Sequence, residues 1–216
     1  MPSQHVLVMP KVHAPDLDEA FLSPERWQAI PSIPLVRAED GEPATLPTDV
    51  QAAWSARGVH ILFCCTDPVP FSGDTARQAH ITGKEMVAVL LDPVGNRTQY
   101  MAIFADPSGR VEDLRIEEPL RHRIGSEMDP SWDCPGLRVR SWSQQARWAV
   151  EMCIPFDGIT PVIAPPNPGD RWTGNFYRIE RIPVREITAW RPTFASPPDL
   201  YASGCFGVLE FGGLTK

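Results

Sequence analysis

The sequence lacks the features that mark a membrane-spanning chain. No stretch approaches the run of about 20 apolar residues that a transmembrane helix needs. The N-terminal segment MPSQHVLVMPKVHAPDL has no basic start followed by a long apolar run, so no signal peptide is visible. We therefore expect a cytoplasmic location for the chain as it stands, or secretion if a signal has been removed.

Basic clusters are also scarce. The formal net charge is −7 and the sequence pI is about 5.2. The one short basic run, RHR at 121–123, is flanked by glutamates and is best interpreted as a solvated surface. This charge distribution excludes the basic footprint of a nucleic-acid-binding protein. An acidic surface is also a poor match to anionic membranes, so neither nucleic acid nor membrane is an expected partner.

Cysteine spacing and catalytic motifs give no positive signal. The five cysteines include no CxxC pair, and the adjacent Cys64 and Cys65 would point to opposite faces of a strand. We expect mostly free, buried thiols. The sequence has no P-loop, HExxH motif or nucleophile elbow, and no spacing selects a carboxylate pair for glycoside hydrolysis. A non-catalytic protein is therefore predicted.

Proline, glycine and short alternating runs are what the sequence does contain. Its 216 residues include 24 prolines and 15 glycines, which suits many short strands joined by turns. Strand-like runs occupy 58–67, 86–93, 99–109, 136–156, 171–181 and 205–212. Helix is restricted to a turn or two within 17–30, where Pro24 suits a first helical position. The pattern predicts one all-β domain over 1–216, a β-sandwich of two antiparallel sheets of immunoglobulin-like or jelly-roll-like type with little helix.

The segment RWAVEMCIPF at 147–156 illustrates the strand pattern. Its alternation predicts a strand with one face in the core, and Pro155 should end the pairing because proline cannot donate to a ladder. Phe156 is then expected to fold back onto the core. Glu151 falls on the opposite face, as either a solvated or hydrogen-bonded carboxylate or a group facing a ligand or ion.

Five segments, in order, resemble the motifs of carbohydrate-binding module family 9. RWAVEMCIPF resembles the family strand gW-x-vE-x-aIPf. The others are AAWSARGVHILFCCTD at 52–67, MVAVLLDPVGNRTQYMAIFADPSG at 86–109, PGDRWTGNFYRIER at 168–181 and AWRPTFASPPDLYASGCFGVLEF at 189–211. The resemblance implies a β-sandwich that binds a mono- or oligosaccharide. It also implies kinship with DOMON-type sandwiches, some of which carry haem b.

The resemblance assigns candidate ligand-binding residues. Trp190, in AWRPT, falls on the second of two family tryptophans that stack on sugar rings, and Glu85 falls on an acidic position of the segment that carries the first. Arg178 matches the arginine of the family's NfyR motif and would hold a carboxylate or bridge to Glu151. Asn175 precedes it in the same strand. Trp132, in the loop MDPSWDCPG, offers another stacking surface or folds onto the core.

The same resemblance locates departures from the family pattern. Thr82 stands where the first stacking tryptophan would be, and Ala88 replaces a glutamate. A ligand-contacting arginine of some members falls near Ile103. One stacking surface and two polar contacts are thus missing, which predicts a degenerate or shifted specificity.

Several alternatives remain open. A DOMON-type haem b domain would need a Met–His or Met–Lys pair across an apolar slot, with candidates Met86, Met101, Met152, His60 and His80. A structural module without a small ligand is a further alternative. Structural calcium occurs in some family members, and Asp67 and Asp92 either bind such an ion or cap turns. Neither the sugar nor the oligomeric state follows from the sequence.

Overall fold

The computed structural model describes residues 5–13, 21–68, 85–117, 127–159, 164–181 and 183–214. Within these residues strand is the predominant secondary structure and helix is scarce. The strands are β1 (Val6–Lys11), β2 (Ser32–Pro34), β3 (Val36–Arg37), β4 (Thr48–Trp54), β5 (Gly58–Thr66), β6 (Met86–Asp92), β7 (Gln99–Ala105), β8 (Val111–Glu117), β9 (Glu127–Asp129), β10 (Arg138–Gln144), β11 (Arg147–Pro155), β12 (Arg171–Glu180), β13 (Glu186–Ala189) and β14 (Gly207–Leu214). The helix α1 (Pro24–Gln28) begins at the proline that the sequence indicated.

The strands form a two-layer β-sandwich. One layer has the order β10-β11-β5-β4, with β2 beside β4. The other has the order β14-β12-β6-β7-β8-β9, with β13 beside β12 and β3 beside β13. The predicted all-β sandwich is confirmed, with one difference: β1 pairs in parallel with β14 and, at Lys11, with β4, so that it joins the two layers.

The core lies between the layers. Alternate residues of facing strands fill it, as the period of two requires. They include Ile61 and Phe63 of β5, Val150 and Met152 of β11, and Val89 of β6, each fully buried. Burial of this apolar surface is the main driving force for bringing the layers together.

Both outer faces are also covered, which the sequence did not indicate. Helix α1 packs Trp27 with Leu22 onto Ala149 of the first layer. On the second layer, a separate apolar cluster includes Tyr177 of β12 and Phe206 of the segment before β14. As a result β6 is buried on both faces.

Strand β11 differs from its prediction in one respect. Seven consecutive residues from Trp148 to Ile154 are buried, because the first layer has the α1 segment on its outer face. Pro155 ends the pairing with β5, opposite Gly58. Phe156 is buried against Trp172, as expected.

The cysteines agree with the expectation of free thiols. All five cysteines are free thiols; Cys64 is exposed and Cys65 is buried, so the adjacent pair does point to opposite faces. Among the helices that the structure describes, none has the length and hydrophobicity to span a bilayer.

Candidate functional site

Trp190 lies at the rim of the sandwich, directly after β13. Its amide donates to the Phe176 carbonyl at 2.9 Å. The indole is partly buried, with its ring centroid 5.7 Å from that of Phe176 and the planes tilted by 35°. Its other contact is Gly207, where an added Cβ would lie 2.5 Å from the indole Cη2. The absence of a side chain at Gly207 thus makes room for the indole.

Asn175 fixes the backbone next to this tryptophan. Its Nδ2 donates to the Tyr177 hydroxyl at 2.7 Å and to the Arg191 carbonyl at 2.8 Å. Its Oδ1 accepts from the amides of Phe176 and Arg191, both at 2.9 Å. Asn175 is fully buried and engages both its donors and its acceptor in these bonds. The structure therefore brings Asn175 and Trp190 together through the backbone of Arg191.

Arg178 lies between the layers, at the end of the sandwich where β6 begins and β12 ends. It is 1% exposed. Its Nη2 donates to Glu85 Oε1 at 2.6 Å and also contacts Glu180. Its Nη1 donates to the Thr66 carbonyl at 2.8 Å. The suggested bridge from Arg178 to Glu151 is wrong, because Arg178 pairs with carboxylates of its own layer.

Glu85 completes a buried group that we call the Arg178 cluster: Arg178, Glu85, Glu180 and Trp148. Glu85 Oε1 accepts from the Trp148 indole nitrogen at 2.9 Å as well as from Arg178. Burial raises the pKa of Glu85 to about 7, the negative charges of Glu180 and Asp67 add to that shift, and Arg178 opposes it. The structure thus brings two of the predicted site residues, Glu85 and Arg178, into direct contact.

Glu151 has a structural partner on the other side of the first layer. Its Oε2 accepts from the Arg140 Nε at 2.8 Å, and its Oε1 accepts from the Leu22 amide at 2.8 Å. Glu151 is fully buried. Of the alternatives for this residue, the hydrogen-bonded carboxylate is the one observed.

Trp132 lies far from Trp190. It follows β9 at one edge of the second layer and packs against the core between the layers. Trp190 follows β13, five strand spacings away in the order β13-β12-β6-β7-β8-β9. At about 4.8 Å per spacing that is roughly 24 Å. The two indoles do not face each other across one ligand.

The positions that depart from the family pattern are core positions where the structure describes them. Ala88 is fully buried in the outer cluster of the second layer, and Ile103 is fully buried in the interlayer core. Thr82 lies outside the described residues. Apolar packing thus occupies two positions where the resemblance has polar ligand contacts.

The described candidates for a haem-binding Met–His pair do not lie on the same face of a layer. His60 is buried on the outer face of the first layer, and burial lowers its pKa to about 4. Met101 and Met152 face the interlayer core, whereas Met86 belongs to the outer cluster of the second layer. No described methionine therefore faces His60 across a slot, and His80 lies outside the described residues.

The two aspartates considered for calcium have different environments. Asp92 caps the turn between β6 and β7; its carboxylate accepts from the amides of Val94, Gly95 and Arg97 and from the Thr173 hydroxyl. Asp67 is 3% exposed, and its amide donates to the Ala146 carbonyl at 2.8 Å. In the part of the chain that the structure describes, no group of three or more His, Cys, Asp or Glu side chains is placed to hold a metal ion.

Two features near Trp190 escaped the sequence interpretation. Arg191, the next residue, is partly buried, and its Cγ lies near the indole at Gly207. Phe194 is 67% exposed and has a φ of 54°, with its amide held by the Ala38 carbonyl at 3.0 Å. Both residues belong to the quoted segment that begins AWRPTF. Phenylalanine is usually buried, so the sequence did not indicate that Phe194 would be exposed.

The solved structures most informative for this fold are carbohydrate-binding proteins. No protein-family model and no curated protein sequence matches the chain. A "putative carbohydrate-binding protein" from Bacteroides uniformis is similar in structure, with a TM-score of 0.70 and 19% identity over 97% of this chain and 100% of that chain.

Two further similar structures are of a family 9 carbohydrate-binding module from Caldicellulosiruptor kristjanssonii. The complex with glucose has a TM-score of 0.64 and 11% identity, covering 98% of each chain. The complex with cellotriose has a TM-score of 0.63 and 11% identity, covering 96% of this chain and 95% of that chain. The chain thus has a fold like that of the family 9 carbohydrate-binding modules, as the order of its motifs predicted.

Proposed function

We propose that the chain, as one sandwich domain over 1–216, is a non-catalytic carbohydrate-binding module. It binds a mono- or oligosaccharide by stacking a sugar ring on Trp190. The observation that carries the proposal is the whole-chain likeness to carbohydrate-binding structures, two of them sugar complexes, combined with a rim tryptophan at the position that the motif order assigned.

The chemistry at the rim supports this role. Pyranose rings present apolar C–H faces that pack on an indole, and their hydroxyls need planar donors and acceptors. Trp190 supplies the aromatic surface, and the guanidinium of the next residue, Arg191, is the planar donor in this proposal. Asn175 acts on the ligand indirectly in this proposal, by fixing the Arg191 backbone with two hydrogen bonds. Arg178 and Glu85 support the end of the second layer, while Trp132 lies at the far edge and contributes no stacking to this ligand.

Isothermal titration calorimetry with glucose and cellotriose tests the proposal. We expect millimolar or tighter binding by the native sequence, and at least tenfold weaker binding by Trp190→Ala, since stacked aromatic surface is worth more than about 1.4 kcal/mol. Trp142→Ala is the matched control, because Trp142 is 42% exposed on β10 of the other layer. Its affinity should stay within twofold of the native value.

A structural module without a small ligand is the second candidate. It is favoured by the buried apolar residues Ala88 and Ile103 at positions where polar ligand contacts would be expected. If neither sugar binds at millimolar concentration, and a glycan array with the same protein is blank, the carbohydrate proposal is lost and this second candidate replaces it.

A further inference from the structure

A concave site lies at the end of the second layer, where β12 ends and β13 begins. Its volume is about 360 Å³. Residues from β3 and the turn after it, from the ends of β12 and β13, and from the segment after Trp190 line it. This cavity, which we call the β12–β13 cavity, has no part in the stacking proposed for Trp190.

Charged groups of both signs line the β12–β13 cavity. Three guanidinium groups, those of Arg37, Arg181 and Arg185, share it with four carboxylates. Among the carboxylates, Glu180 is 3% exposed and Glu186 is partly buried. An anion would meet four carboxylates here and a cation three guanidinium groups, so the balance of charge favours a neutral ligand.

The polar groups are held in place before any ligand arrives. Arg37 Nε donates to Asp40 Oδ1 at 3.0 Å. Glu186 accepts from the Thr45 amide and hydroxyl, each at 3.0 Å. Glu180 accepts from the Arg181 amide at 2.9 Å. Such preorganisation lowers the entropic cost of binding. The carboxylates of Asp40 and Glu186 each have about four acceptor sites, so the bonds from Arg37 and Thr45 leave acceptor capacity for a ligand.

The rest of the wall is apolar. Ile179 and Ile187 are cross-strand neighbours on β12 and β13, and Val184 and Pro198 complete the apolar surface. A hydroxyl both donates and accepts, so a polyhydroxylated ring can satisfy guanidinium and carboxylate groups together while its C–H face packs on the isoleucines. We propose that the β12–β13 cavity binds a neutral polyhydroxylated ligand the size of one sugar ring. Its volume is at the lower end for small-molecule sites.

This inference rests on the proposed function for the class of ligand but not for the place of binding. The test therefore begins with Trp190→Ala, in which the rim site is removed. We expect this variant to retain measurable glucose binding, detected by saturation-transfer difference NMR and calorimetry. Adding Val184→Trp, which fills the cavity, should abolish that residual binding.

Two variants control the experiment. Val94→Trp adds an indole at a position that is 53% exposed in the β6–β7 turn, and residual glucose binding should survive it unchanged. If Val184→Trp fails to give a native circular dichroism spectrum, Arg185→Ala replaces it, because this exposed side chain can be removed without opening the core. It should weaken the residual binding at least fivefold.

The outcomes separate the two ideas. If the native sequence binds glucose but Trp190→Ala binds none, the cavity assignment is overturned and the proposed function stands. Residual binding that persists unchanged in Val184→Trp or Arg185→Ala also overturns it. If the native sequence binds no saccharide, the proposed function fails and the cavity assignment fails with it.

Discussion

Arg178 is a charged residue in a buried position. One guanidinium, 1% exposed, pairs with two carboxylates, Glu85 and Glu180, at the end of the interlayer core. Buried ion pairs depend on further hydrogen bonds to their polar atoms, and here Trp148, the Thr48 hydroxyl and the Thr66 carbonyl supply them. Arg178 Nε is buried and has no hydrogen-bond partner among the described residues. Burial disfavours the charged form of Glu85, and the second carboxylate beside one guanidinium adds to that effect, so a proton near neutral pH is favoured on Glu85.

This protonation predicts a pH-dependent stability. The pKa of Glu85 is raised from its ordinary value of 4.5 to about 7 in the folded protein. Its contribution to the free energy of unfolding is therefore complete below about pH 4.5 and is lost as the pH rises through about 7. In the native sequence the free energy of unfolding should therefore fall between pH 5 and pH 8. Glu85→Gln should make that fall smaller by roughly 1–3 kcal/mol.

Urea unfolding across that pH range makes the measurement. The control is Glu42→Gln, which makes the same chemical change at an exposed carboxylate. Its free energy of unfolding should depend on pH as that of the native sequence does. A profile for Glu85→Gln that runs parallel to that of the native sequence would show that Glu85 is already ionised throughout.

Gly207 supports a second prediction at this scale. A Cβ here would lie 2.5 Å from the indole Cη2 of Trp190, well inside van der Waals contact. The added Cβ would meet the end of the Trp190 side chain and not backbone atoms. Gly207→Ala should therefore displace the indole and preserve the fold. We expect altered tryptophan fluorescence and at least threefold weaker glucose binding, with a melting temperature within a few degrees of the native value. Unchanged fluorescence and affinity would contradict the placement of the indole.

At the scale of elements, the α1 segment is attached to the first layer through Glu151. That carboxylate accepts from Leu22 and Arg140 in a fully buried position. Glu151→Ala leaves a buried amide without its partner, so we expect a loss of about 2–3 kcal/mol in the free energy of unfolding. Glu210→Ala is the control: it breaks a solvent-exposed pair with Arg171 and should cost less than about 1 kcal/mol. Equal losses in the two variants would contradict the buried role of Glu151.

Strand positions could be predicted from the sequence because alternation is a local signal. The predicted runs at 86–93 and 171–181 agree with β6 and β12 within a residue, and the predicted run at 136–156 forms β10 and β11, joined by a turn at 145–146. That turn also fixes a register in which residue 140 faces residue 151. The Arg140–Glu151 pair could thus have been predicted from the hairpin, whereas the suggested Arg178–Glu151 bridge ignored it.

Contacts between distant strands could not be predicted in the same way. Arg178 meets Glu85 because β12 and β6 are neighbours in register, with Arg178 opposite Val87 and Ile179 opposite Met86. That pairing joins segments about 90 residues apart and follows from no local pattern. The β12–β13 cavity escaped prediction for the same reason, since its walls come from segments widely separated along the chain.

For the whole molecule, the joining of the two layers by β1 is the distinctive feature. Met9 of β1 is fully buried in the interlayer core, while Val8 beside it is 53% exposed. Met9→Ala should therefore cost about 2–5 kcal/mol, whereas Val8→Ala should cost less than about 1 kcal/mol. Both are measured by urea unfolding followed by far-UV and near-UV circular dichroism. Similar costs for the two variants would contradict a core position for β1.

The central proposal is that a sugar ring stacks on the Trp190 indole. The most direct measurement is the ¹H–¹⁵N spectrum of the tryptophan side chains during titration with cellotriose, with the Trp190 signal assigned from Trp190→Phe. We predict a saturable shift of the Trp190 indole signal, while the signal of Trp54, which is 1% exposed in the core, stays fixed. A Trp190 signal that does not move at millimolar cellotriose, while binding is detected elsewhere or not at all, would contradict the account.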